Sequence, residues 1–129
     1  MSICYEDVFA REVNRSLPDA RYLVNVSNDA WFGNSLAPHQ HMQIARMRAL
    51  EAGRMMVRAT NTGISAVADH HGRIVAASPQ FETDVLLAEV VPRRGVTPYV
   101  GLGDSTVLAA IAGLCVLGLL ATRRPLRKR

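Results

Sequence analysis

Aromatic residues are scarce in this chain: one tryptophan, three tyrosines and three phenylalanines among 129 residues. A protein that holds nucleic acid by stacking needs such rings beside a basic surface. The basic surface is missing too. The formal net charge of +4 is concentrated in Arg123, Arg124, Arg127, Lys128 and Arg129, and taking those five away leaves −1 for everything before them. No nucleic-acid partner is therefore expected. Cysteine occurs only twice, as Cys4 and Cys115. The second lies inside an apolar run, so no bridge between the two and no disulfide framework is expected. His39 and His41 stand two apart, a spacing that turns them away from each other on a helix, and His70-His71 falls in a turn. No cysteine or carboxylate spacing completes a tetrahedral set around them, so no metal and no other cofactor is expected.

What is present is apolar. A hydrophobic fraction of 49% excludes a disordered chain, and the length suits one domain with a modest core. The first stretch, Ser2-Ile3-Cys4-Tyr5-Glu6-Asp7-Val8-Phe9, puts a cysteine directly before an aromatic residue and a carboxylate. A short apolar entry into Cys4, then Phe9, Val13 and Leu17 at four-residue spacing, reads as strand, sharp turn and helix. Such a turn exposes Cys4 near a helix N-terminus, where the helix dipole and unpaired N–H groups favour a thiolate. The competing reading is an inert, buried, small apolar residue.

Pro18-Asp19 marks a turn, and residues 22–26 read as a buried strand. The loop Ser27-Asn28-Asp29-Ala30-Trp31-Phe32-Gly33-Asn34-Ser35 that follows is either a plain connection or a pocket rim at a strand end. From Pro38 to Gly53 the pattern is helical, with Met42, Ala45, Ala49 and Ala52 on one face. Arg48 and Glu51 are spaced for a surface ion pair on this helix, unless Glu51 points inward to support the nucleophile loop. Strands are expected over 55–60, 64–68, 73–77 and 85–91, the first two joined by Asn61-Thr62-Gly63 and the next by Asp69-His70-His71-Gly72.

A linker over 92–103 carries two prolines and two arginines. Beyond it, Ser105 through Thr122 contains no ionisable group except Cys115. As a helix these 18 residues reach about 27 Å, close to the roughly 30 Å of a bilayer's hydrocarbon core. The expected organisation is thus an α/β domain over 1–91, the linker, a transmembrane helix over 104–122 and a basic tail over 123–129. The tail's charge, against Asp104 on the other side, predicts the tail in the cytoplasm and the domain outside. Ala109 and Gly113 offer a small-residue face for packing on another helix. The chain opens almost on Cys4, and no signal peptide is expected before it.

Ile3-Cys4-Tyr5-Glu6, the Ser27 to Gly33 loop, Gln43 to Glu51, and Arg58-Ala59-Thr60-Asn61-Thr62-Gly63-Ile64-Ser65 together resemble the apolipoprotein N-acyltransferases, the membrane branch of the nitrilase superfamily. The resemblance spans nearly the whole chain. It implies the C-terminal part of a nitrilase-like α-β-β-α sandwich followed by one transmembrane helix, at the periplasmic face of the bacterial inner membrane. It also implies Cys4 as the nucleophile that takes an acyl chain from a phospholipid as a thioester. The chain is then passed to the free amine of a diacylglyceryl-cysteine apolipoprotein. Tyr5 and Glu6 would shape the nucleophile's surroundings, Trp31 and Phe32 would line the acyl side, and Glu51 would support the active-site loop.

The chain departs from the family pattern in one respect. The family's catalytic glutamate and lysine come from segments before the cysteine, and here the only lysine is Lys128. The implied partners therefore include an N-terminal half of the enzyme, and the fragment alone is expected to be inactive. The alternatives are one half of a split acyltransferase, or a membrane-anchored interaction module without enzymatic activity.

Overall fold

A computed structural model describes residues 1–122; the basic tail over 123–129 lies outside the described residues. Five strands form one sheet in the order β1 (Ser2–Ile3), β2 (Leu23–Ser27), β3 (Met56–Thr60), β4 (Ala66–Ala68), β5 (Ile74–Ala77). The first three are parallel, and β4 and β5 add antiparallel hairpins. The two parallel steps are crossovers through α1 (Ala10–Asn14) and α2 (Ala37–Ala52). Such crossovers are almost always right-handed, which puts both helices on one face of the sheet.

The core agrees: Val13 of α1 and Ala45, Ala49 and Ala52 of α2 pack with Leu23, Met56 and Ala68 of the sheet. The alanines let α2 lie close to the strands, and each is essentially inaccessible. Pro38 sits in the first turn, where its missing N–H costs nothing, and Gly53 closes the helix at φ 62. On the opposite face, Val24, Val57, Val67 and Ala76 share one register row, and Ile3, Val26 and Ala59 the next. Ile3, Val26 and Ala59 are exposed there, so part of an apolar sheet face is uncovered by the described residues.

Two expected elements differ. The helix foreseen through Phe9, Val13 and Leu17 is broken: a 3-10 turn spans Cys4–Val8, Phe9 caps it with extended φ/ψ, and only five α-helical residues follow. Phe9 is exposed while Val13 is buried and Leu17 packs against the core, so the spacing holds for the last two positions and not for Phe9 or for helix continuity. The strand expected over 85–91 does not form. Val85 and Leu87 are exposed, and the segment meets the body only near its end, where Val91 N–H points at Met55 Sδ and Arg93 N–H donates to Arg21 O. An apolar run becomes a strand only by pairing with an edge, and this one pairs with neither β1 nor β5.

The last helix, α3, spans Pro98–Thr122 with a break at Gly103 (φ 70). It is long and apolar enough to cross a membrane, and none of its residues is buried in the fold.

Candidate active site

At the end of β1 the chain leaves the sheet abruptly. Cys4 takes φ 51, one of two non-glycine residues with positive φ among those described. A left-handed cysteine costs on the order of 1–3 kcal/mol and persists only where its surroundings over-determine it. Two constraints are local. Ser2 and Ile3 are locked in register against Asn25 and Val26 of β2. The Glu6 carboxylate reaches back to accept from the Ile3 N–H at 2.7 Å, closing the turn around Cys4. Cys4 itself is exposed. The result is a thiol presented at a tight strand-to-helix corner, over a five-residue 3-10 turn rather than the longer helix expected.

Beneath that corner lies a buried polar network. Asp7, Asn25, Asp29, His41 and Arg58 are all nearly inaccessible. Arg58 Nη1 donates to Asn25 Oδ1 at 2.5 Å and lies 3.4 Å from Asp7 Oδ2; its Nη2 donates to Asp29 Oδ2 at 2.9 Å. His41 stands between the carboxylates, with Nε2 3.0 Å from Asp7 Oδ1 and Nδ1 3.2 Å from Asp29 Oδ1. Arg58 Nη2 lies 2.9 Å from Nδ1 and can only donate, so Nδ1 accepts there and Nε2 carries the hydrogen toward Asp7. Ser27 Oγ donates to Asp29 Oδ1 at 2.7 Å. Burial pushes the Asp29 carboxyl up, but the Ser27 hydroxyl and the Arg58 guanidinium outweigh it and hold the group below the usual carboxylate range. Two buried carboxyl groups are accommodated because a guanidinium and an imidazole are fitted between them.

The network reaches the cysteine directly. Asn25 Nδ2 donates to Cys4 O at 3.0 Å and to Ser2 Oγ at 3.1 Å. His41 is engaged at both ring nitrogens and 2% exposed, so it is not available to take a proton from the thiol. Among the described residues there is no lysine.

The residues expected at the site are partly brought together. The Tyr5 ring packs at 5.4 Å from that of His41. Both line a cavity of about 450 Å³ with Phe32, Ile44 and Met47. Trp31 is 86% exposed and not on that wall. Glu51 lies ten residues along α2 from His41, about 15 Å at helical rise. Its carboxylate pairs with Arg48 at 2.9 Å, and its carbonyl accepts from Thr97 Oγ1 at the approach to α3. Burial pushes the Glu51 carboxyl up, Arg48 pulls it back and Asp104 pushes it further.

Asn25, His41 and Arg58 were not picked out by sequence reasoning. A signal was there: in Leu23-Val24-Asn25-Val26-Ser27 the inward positions of a buried strand include two polar residues, and Arg58 takes an inward position of the next. A polar residue in a core register needs a partner.

The carbon-nitrogen hydrolase family model matches residues 1–99. The chain is 53% identical over 123 residues to an apolipoprotein N-acyltransferase of Methylococcus capsulatus, covering 95% of this chain and 24% of that protein. It is 51% identical over 128 residues to one from Nitrosomonas europaea, covering 99% of this chain and 26% of that protein. With one from Vibrio vulnificus it shares 53% over 104 residues, 80% of this chain and 21% of that protein. The chain therefore spans about a quarter of the length of these curated relatives.

Proposed function

This chain belongs to the carbon-nitrogen hydrolase family, and from that premise we propose that it is the nucleophile-bearing C-terminal portion of an apolipoprotein N-acyltransferase. The observation that carries the reading is Cys4, exposed in a left-handed conformation at a strand-to-turn corner, in a chain about half identical to proteins of that name.

The Cys4 thiolate attacks the ester carbonyl of a membrane phospholipid. The carbon–oxygen bond to glycerol breaks, and the lyso-lipid alkoxide leaves with a proton. The acyl group stays on sulfur as a thioester. The amine of a diacylglyceryl-cysteine at a lipoprotein's N-terminus then attacks that carbonyl, the carbon–sulfur bond breaks, and the thiolate returns as the nitrogen loses a proton. Backbone N–H groups after Cys4 support the tetrahedral oxyanion. Tyr5 and Phe32 line the acyl side and Trp31 meets lipid at its margin. Glu6 holds the corner, and Glu51 braces the far end of α2 against the approach to the membrane helix.

The base and the lysine that complete the reaction come from an N-terminal portion beyond these residues, which also covers the open apolar sheet face. The domain stands on the periplasmic side of the inner membrane, with α3 crossing it. In a bacterium depleted of its own N-acyltransferase, the full-length protein is expected to restore triacylated lipoproteins. Cys4→Ser and residues 1–129 alone are expected to restore none. Restoration by Cys4→Ser would contradict the proposal.

A further inference from the structure

We propose that Asn25 and Arg58 are positioning residues for the nucleophile, fixing the peptide between Cys4 and Tyr5 so that the Tyr5 N–H faces the developing oxyanion. The role rests on the reading of Cys4 as the acyl-accepting thiol.

Sheet register makes the lever possible. Ser2, Asn25 and Arg58 are direct neighbours in one row across β1, β2 and β3, so the Asn25 amide lies between the corner above and the guanidinium beside it. An amide can be turned either way round, and its oxygen and nitrogen do opposite things. Arg58 settles the choice: a guanidinium only donates, so the atom 2.5 Å from its Nη1 is the Asn25 oxygen. That leaves Nδ2 to donate to the Cys4 carbonyl at 3.0 Å. The same Nη1 lies 3.4 Å from Asp7 Oδ2, so one nitrogen steadies both ends of the Cys4–Asp7 turn.

The consequence follows from peptide planarity. Asn25 is fully buried, so the Cys4 carbonyl is drawn inward. Across a trans peptide C=O and N–H point in opposite directions. The Tyr5 N–H therefore points away from the network, toward the side on which Cys4 is exposed. Without that hydrogen bond the peptide plane can turn about ψ of Cys4 and φ of Tyr5, and the N–H turns with it.

The test separates two reactions of the same sulfur. Acylation passes through an oxyanion; alkylation by iodoacetamide, which displaces iodide at a saturated carbon, does not. Asn25→Asp keeps the acceptor for Arg58 and replaces the donor to Cys4 O with an oxygen that repels it. In the full-length protein, acylation of Cys4 is read by peptide mass spectrometry with phosphatidylethanolamine in mixed micelles, beside the iodoacetamide rate at the same residue. The ratio of acylation to alkylation is expected to fall at least about tenfold, since misplacing one oxyanion donor costs roughly 100-fold or more. Arg58→Lys, whose single ammonium cannot hold Asn25 and Asp29 together, should move the ratio the same way. An unchanged ratio in Asn25→Asp, or equal falls in both rates, overturns the positioning role. Should Asn25→Asp fail to fold, the same ratio on Asn25→Ser decides by the same criteria. A wild-type Cys4 that alkylates but takes no acyl chain overturns the acyltransferase reading itself, and this role with it.

Discussion

Asp29 and Asp7 are carboxylates in a place where carboxylates are costly. Both are buried, and both pair with Arg58 and His41. For Asp29 the balance favours the charged form, with a folded-state pKa below the ordinary value. A carboxyl depressed on folding contributes stability above its unfolded pKa of about 3.9, and that contribution is lost as pH falls through the folded value. Thermal melting of the full-length protein should therefore drop steeply below about pH 4. Asp29→Asn should melt lower at neutral pH, with a shallower acid limb; an acid limb as steep as wild type would contradict the assignment. Cys4 shows what a residue's neighbours in sequence can and cannot tell. The short apolar entry into Cys4 and the four-residue spacing after it announced a corner, and the Glu6 carboxylate closes it. The support beneath was hidden because Asn25, His41 and Arg58 are far apart in the chain and meet only once two strands and a helix are in register.

At the scale of elements, legibility followed the strength of the period. α2 was readable from its small-residue face and its Pro and Gly ends, and it lies where those signals put it. Ala49, with no accessible surface, sets how closely the helix approaches the sheet. Ala49→Leu is expected to cost about 1–3 kcal/mol of stability by overpacking, measured as a lowered melting temperature; a variant as stable as wild type would show that α2 does not rest on the strands. The short strands β2 to β5 were readable to within two residues at either end, because alternation and turn residues agree there. Residues 85–91 failed because Val-Leu-Leu-Ala-Glu-Val-Val is apolar enough for a strand but lacks alternation, and it pairs with neither edge of the sheet. The first helix failed because Phe9 spends its backbone on capping the 3-10 turn that shapes the Cys4 corner.

Taken whole, the molecule is two layers with one apolar sheet face partly open and a bare apolar helix at its end. Its relatives are about four times as long, and a second layer over Ile3, Val26 and Ala59 is the natural complement of that face. The mixed α/β class was legible because helix and strand periods need only local pattern, and the nitrilase-like layout came from the resemblance. The proposed base and lysine were not legible, since groups supplied from outside these residues would leave no trace in them. The proposed reaction turns on one bond, between an acyl carbonyl and the sulfur of Cys4. Intact-peptide mass spectrometry of the full-length protein, incubated with phosphatidylethanolamine without an acceptor, should find Cys4 heavier by one acyl group, the addition released by hydroxylamine and absent in Cys4→Ser. An unmodified Cys4, or the same mass addition surviving in Cys4→Ser, would contradict it.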